Sequence, residues 1–172
     1  MNCMYRLAVI VLIGLISCNE KGKEKDKDEP VLSTPAKSEL AKIKLTDLDN
    51  KQIDLNQHKG KTIFINFWAT WCKPCLEEMP SIERAQEILK DKNIEFLFAS
   101  DETTHQIEEF KTDHEYKFNY VIVENMGTLN IAGLPTTFIF NPTGKLVFSE
   151  MGYRRWDSKE NIDLLLEIIR SK

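Results

Sequence analysis

The sequence predicts a single α/β domain built on a mixed central sheet, and three observations carry that expectation. Two dense runs of β-branched and aromatic residues, "KTIFINFW" at 61–68 and "NIEFLFAS" at 93–100, have the composition of central strands covered on both faces. Between and after them, apolar residues recur at helical spacing. Towards the end, two strand patterns flank a tight turn and lead into an amphipathic helix. A βαβ unit followed by an antiparallel hairpin and a helix implies parallel and antiparallel pairing in one sheet, with helices on both faces. The length of 172 residues, 42% hydrophobic and 29% charged, suits one globular domain plus extra segments.

Residues 1–17 read as a targeting segment, so a signal sequence is expected there. Arg6 precedes an apolar run from Leu7 to Ile16, too short for the roughly 20 residues that span a bilayer. "LISC", Leu15 to Cys18, resembles the lipobox of bacterial lipoproteins, which implies cleavage before Cys18 and lipidation of that cysteine as the new N-terminus. Several acyl chains on one cysteine anchor a protein where a single chain gives only marginal binding. From Cys18 to Ser38 the sequence is rich in alternating charge, with two prolines and few apolar residues, and reads as a flexible tether. Residues 39–172 are the folded domain. The four cysteines then sort themselves: Cys3 leaves with the signal, Cys18 is blocked, and Cys72 and Cys75 are the free thiols of the mature chain.

Within the domain, "AKIKLTDL" alternates apolar and polar residues, Asp49-Asn50 marks a turn, and "KQIDL" follows as a partner strand, so an N-terminal β-hairpin is expected. The strand at 61–68 leads to a helix running through Lys90 with Ile82, Ala85, Ile88 and Leu89 on its apolar face. The strand at 93–100 leads to a polar helix from Thr104 to about Tyr116, with Ile107 and Phe110 facing inward. "NYVIVE" is a further strand. "LPTTFIF" and "KLVFSEMG" pair around the turn Asn141-Pro142-Thr143-Gly144. The last helix, Ser158 to Arg170, aligns Ile162, Leu165, Leu166 and Ile169.

The chemistry concentrates in "NFWATWCKPCLEEMP", Asn66 to Pro80. Cys72 stands where a helix should start, near unpaired N–H groups and the positive end of the dipole, which favours its thiolate. Lys73 adds a neighbouring charge, and Pro74 suits a first turn because its missing N–H has no helical partner there. Cys75, one turn on, should be the less exposed thiol. At i and i+3 the two Cβ atoms lie about 5–6 Å apart, close enough to form and break a disulfide with small adjustments. A purely structural bridge closing so short a loop would stabilise little. A zinc site lacks a second cysteine pair, and His58, His105 and His114 are scattered, so no metal is assigned; copper held by both thiols and a distant histidine is the alternative left open. The mild acidic balance, 23 basic against 27 acidic residues, and the lack of a basic block interleaved with aromatics exclude a nucleic-acid face.

"FWATWCKPCLEEMP" together with "GLPTTFIF" resembles the TlpA/ResA branch of thioredoxin-like thiol-disulfide oxidoreductases. The resemblance covers 41–172 and implies a thioredoxin-like three-layer α/β/α fold carrying the added N-terminal hairpin. It implies a cis Pro135, with the Leu134 backbone facing the cysteine pair and able to pair with an extended substrate. Pro80 is then a proline inside a continuing helix. Ordinary thioredoxins place a buried aspartate where this chain has Asn66; the branch it resembles has Asn there and a glutamate three residues after the second cysteine, here Glu78. A partly buried Glu78 with a raised pKa would handle the Cys75 proton, while the plain alternative is an acid complementing the helix dipole, the role expected of Glu77. Trp68 is expected in the core and Trp71 beside the substrate groove, where Trp71, Lys73, Pro74, Leu134 and Pro135 would contact substrate.

The expected activity is thiol-disulfide exchange. Cys72 attacks, a mixed disulfide forms, and Cys75 resolves it. No metal or organic cofactor is needed, but the pair needs resetting, in this family commonly by a membrane-embedded thiol reductant. Expected substrates are extracytoplasmic protein disulfides, such as those of apocytochrome c before haem attachment, with the chain tethered to a membrane in the bacterial periplasm. A copper metallochaperone and an oxidant of folding proteins are the competing functions. A peroxidase of the same fold would need a cysteine after a Pro-Thr stretch, and "PTTF" is followed by none.

Overall fold

A computed structural model describes residues 39–58 and 60–171. The expected signal segment, the tether and Cys18 lie outside the described residues. Seven strands form one sheet in the order β2-β1-β5-β4-β3-β6-β7: β1 Leu45–Thr46, β2 Gln52–Ile53, β3 Thr62–Phe67, β4 Ile94–Ser100, β5 Tyr120–Val123, β6 Thr136–Phe140 and β7 Leu146–Met151. Among the described residues three α-helices accompany it: α1 Lys73–Ile88, α2 Thr104–Asp113 and α3 Lys159–Arg170. Strands β3, β4 and β5 are parallel, and β6 runs antiparallel to β3 with β7 antiparallel to β6. The strand "NYVIVE" thus takes a place inside the sheet, between β4 and β1.

Both crossovers, β3 to β4 and β4 to β5, step in the same direction, so right-handed connections put α1 and α2 on one face. There Phe64, Trp68, Phe98 and Ile139 pack with Met79, Ile82 and Ala85 of α1, Ile107 and Phe110 of α2, and Leu165 and Ile168 of α3. The opposite face, carrying Ile63, Ile65, Phe67, Leu97 and Ala99, is covered by Leu40, Ile43 and Leu55, with Met126, Leu129 and Ile131 against them. These come from three short 3-10 turns and their flanks, Glu39–Lys42, Leu55–His58 and Met126–Thr128. Among the described residues the second outer layer is therefore made of turns, not of α-helices. The chain that crosses it between β5 and β6 holds Gly127, Gly133 and Pro135, which disfavour a helix.

Several boundaries move from the expected ones. The first hairpin is shorter, because Leu40 and Ile43 are buried at three-residue spacing by a 3-10 turn before β1. Asp47 then closes the β1–β2 turn by accepting from the backbone N–H groups of Asp49 and Lys51, with Asn50 at φ 63°. Helix α2 stops at Asp113. Beyond it His114, Tyr116 and Phe118 stack at every second residue, which requires extended chain. Helix α1 ends at Ile88, short of Lys90; Ile88 is exposed and the capping Leu89 takes the buried position.

Candidate active site

Strand β3 delivers the site. Past its last residue, Trp68 donates its backbone N–H to Ala99 O, and its fully buried ring packs against Phe110 and Tyr120. The loop that follows is pinned from β4's side: Glu102 accepts from Thr70 N at 2.7 Å, Thr70 Oγ1 at 2.6 Å and Ser100 Oγ at 3.1 Å. Sequence reasoning missed Glu102. The signal was topological, since parallel neighbours β3 and β4 end on the same side and put residues 69–72 beside 100–102.

Cys72 caps α1. Its backbone is extended, φ −83° and ψ 93°, and its Sγ accepts from Cys75 N at 3.3 Å, with Pro74 in the first turn. The two cysteines are joined, with S–S 2.03 Å and Cα atoms 5.3 Å apart. Both are nearly covered in this state, Cys72 4% and Cys75 2% exposed. Trp71 is 73% exposed beside them. Lys73 and Pro74 are exposed as well, and Lys73 Nζ lies 4.0 Å from Glu77, an exposed pair that contributes little.

The peptide bond between Leu134 and Pro135 is cis. Phe67 pairs with Thr136, so the bend before β6 sits at the same sheet end as the loop leading to Cys72. Leu134 packs against the core that holds both cysteines, and Pro135 O accepts from Gly152 N at 2.7 Å. The structure thus brings Trp71, Cys72, Cys75, Leu134 and Pro135 to one end of the sheet.

Helix α1 continues through Pro80 and carries Glu78 one turn beyond Cys75. Glu78 is 1% exposed, and its Oε1 accepts the indole N–H of Trp156 while its Oε2 is buried without a partner. Burial pushes its pKa up to about 8; the Trp156 hydrogen bond opposes this, the Glu150 carboxylate adds to it, and the Arg154 backbone and then the Arg154 guanidinium pull the other way. Asn66, also buried, donates to Thr137 Oγ1 at 3.1 Å. Register sets Asn66, Thr137 and Glu150 side by side across β3, β6 and β7. Trp156, Arg154 and Glu150 were not foreseen, because the segment after β7 meets α1 only in three dimensions.

The histidines lie elsewhere. His58 Nδ1 is 2.7 Å from Glu95, His114 stacks on Phe110, and His105 is exposed 4.0 Å from Glu109.

Residues 36–149 match the model of the AhpC/TSA family. A thiol-disulfide oxidoreductase ResA of Bacillus cereus is 33% identical over 174 residues, covering 95% of this chain and 96% of that one. ResA of Bacillus anthracis is 36% identical over 129 residues, 73% of each chain. Among solved structures, the thioredoxin domain of a thiol-disulfide oxidoreductase from Bacteroides vulgatus superposes with a TM-score of 0.62 at 21% identity, covering 74% of this chain and 93% of that one. StoA from Bacillus subtilis superposes with a TM-score of 0.56 at 20% identity, over 73% and 86%. At these identities the two structures speak for the fold, which is thioredoxin-like as the sequence predicted.

Proposed function

The chain belongs to the AhpC/TSA family, within it to the ResA-type thiol-disulfide oxidoreductases, and from that premise we propose that it reduces disulfides of extracytoplasmic proteins through Cys72 and Cys75. The observation that carries this reading is the Cys72–Cys75 bridge at the start of α1, with a buried ionisable carboxyl one turn further along the same helix. Cys72, as helix cap, is the attacking thiolate: Cys75 N–H already points at its sulfur, and the helix dipole favours negative charge there. It attacks a substrate disulfide, one substrate sulfur leaves as thiolate, and the other stays bonded to Cys72. Cys75 then gives its proton to Glu78 and attacks Cys72 Sγ. The Cys72–Cys75 bond forms as the mixed disulfide breaks, and the substrate leaves reduced.

Glu78 suits the proton step because a carboxyl with pKa about 8 is closely matched to a thiol. Trp71, Lys73 and Pro74 border the pair, and the Leu134-Pro135 bend offers backbone to an extended substrate segment; these residues hold the substrate over the disulfide. The resemblance to ResA supports disulfides of apocytochrome c as one substrate class. The same resemblance supports resetting of the pair by a membrane-embedded thiol reductant, and the "LISC" stretch supports anchoring through a lipid on Cys18. Among the described residues no helix is long and apolar enough to cross a membrane.

The test is the reduction potential of the pair, from equilibration of the protein against graded thiol-disulfide buffers. A value in the range of thioredoxin and glutaredoxins, about −270 to −200 mV, is expected of a reductant. A value near about −120 mV makes the protein an oxidant of folding chains. A pair that never cycles between dithiol and disulfide removes the exchange reading, and copper titration then decides whether the thiols hold a metal.

A further inference from the structure

A carboxyl that takes a proton in every cycle must also pass it on, and Glu78 is 1% exposed. This inference rests on the assignment of Glu78 to Cys75 made above. One oxygen is occupied by the Trp156 indole, and the other is buried without a partner. Two charged groups act on the carboxyl, the Glu150 carboxylate on β7, which disfavours its ionisation, and the Arg154 guanidinium in the β7–α3 loop, which favours it. Ser81 of α1 and Asn161 of α3, which also meet the Arg154 segment, carry no charge, and the nearby Arg84 and Asp157 are paired with each other at 2.7 Å.

Arg154 is held from several directions. Its Nε donates to Asn161 Oδ1 at 2.6 Å, its Nη1 donates to Glu150, and its guanidinium lies 5.2 Å from the Phe148 ring centroid and 5.6 Å from that of Trp156. The indole that grips Glu78 with its N–H thus carries Arg154 over its ring. The ion pair also bridges the interior and the surface, with the Arg154 side chain 21% exposed and that of Glu150 44%. Glu150 stands at the outer end of the row begun by Asn66 and Thr137, on the edge strand of the sheet.

We propose that the Arg154–Glu150 pair gates the proton route of Glu78: Glu150 receives the proton on its way to solvent when the pair parts, and Arg154 sets how readily Glu78 releases it. After resolution Glu78 is left as the neutral acid. Its proton passes, through an intervening water, to the Glu150 carboxylate, which returns it to bulk solvent, and Glu78 is again able to accept the proton of the next Cys75 thiol. The charge on Arg154 favours ionised Glu78, and the charge on Glu150 favours protonated Glu78, so the two residues act on it in opposite senses.

The experiment uses the full-length protein. The Glu78 carboxyl is titrated by its infrared C=O absorption, identified by its loss in Glu78→Gln, in the oxidised wild type, Glu150→Gln and Arg154→Met. The midpoint is expected to fall in Glu150→Gln and to rise in Arg154→Met. If Arg154→Met does not fold, Arg154→Lys replaces it, and its midpoint should stay nearer that of the wild type than an uncharged residue would allow. The multiple-turnover rate of Glu150→Gln, with reductant in excess, should fall several-fold in dilute buffer and recover as a small diffusible buffer base is added, while its first resolving step is not slowed. Unmoved midpoints, or a Glu150→Gln rate indifferent to buffer, overturn the gate while leaving Glu78 in its role. A Glu78→Gln protein that resolves at the wild-type rate overturns the role of Glu78 itself, and the route falls with it.

Discussion

Trp156 donates its indole N–H to the carboxyl of Glu78, a residue 78 positions earlier in the chain, and the bond is wholly buried. That contact ties the loop after β7 to the helix that carries the redox pair. It also sets the electrostatic state of the site, because a neutral Glu78 tolerates burial and an ionised one needs this donor.

The first prediction concerns stability against pH. Glu78 has a folded pKa raised from 4.5 to about 8, so the stability it contributes is fully present below about pH 4.5 and is lost as pH rises through 8. The whole swing is on the order of 5 kcal/mol. Glu78→Gln should flatten this dependence, leaving the variant relatively more stable than the wild type at pH 9. Urea unfolding at a series of pH values checks it.

Removing the donor while keeping an aromatic ring separates packing from electrostatics. Trp156→Phe leaves Glu78 with no indole N–H, which should raise its pKa further and cost about 1–3 kcal/mol. The pH profile of the resolving step should move upward with it. Stopped-flow decay of a preformed mixed disulfide gives that profile.

Cys75→Ser should leave substrate covalently attached to Cys72, since no resolving thiol remains, whereas Cys72→Ser should capture none. Non-reducing electrophoresis after mixing with a disulfide substrate distinguishes the two. Capture by Cys72→Ser instead would reverse the assigned roles.

Glu102 holds the loop before Cys72 through the backbone N–H and hydroxyl of Thr70. Glu102→Ala should strand those donors and destabilise the protein by about 1–3 kcal/mol. Guanidinium unfolding measures the loss.

Trp71 is 73% exposed, so Trp71→Ala should change stability by no more than about 0.5 kcal/mol. Its effect should fall on KM for a protein disulfide, with little change for a small disulfide that makes no contact beyond the sulfurs. Steady-state kinetics on both substrates tests this.

Much of the molecule was legible from residues alone. The β3, β4 and β6 runs, the hairpin turn at 141–144 and the N-terminal ends of all three helices follow from composition and capping, because those signals act over a few neighbouring residues. The cysteine pair was legible for the same reason. Three features were not. The 3-10 turn Glu39–Lys42, with Ile43 just past it, mimics an alternating strand over so short a stretch. The end of α2 depends on an aromatic stack that only extended chain can build. Glu102, Arg154 and Trp156 reach the site through sheet register and loop return, and no local pattern marks a residue whose partner is 32 or 78 positions away.

The two faces of the sheet are covered unequally, by three α-helices on one side and by short turns on the other. Opening a turn releases few hydrogen bonds and little apolar area, so transient local unfolding starts on the turn-covered side, around the two-residue strands β1 and β2. Helix α1 is rooted in the helical side. Amide hydrogens in its middle, past Cys75, are therefore expected to exchange with solvent more slowly than those of β1 and β2. The redox pair keeps its geometry through fluctuations that loosen the far side, and a partner able to insert into that far side would meet a domain whose chemistry is still intact.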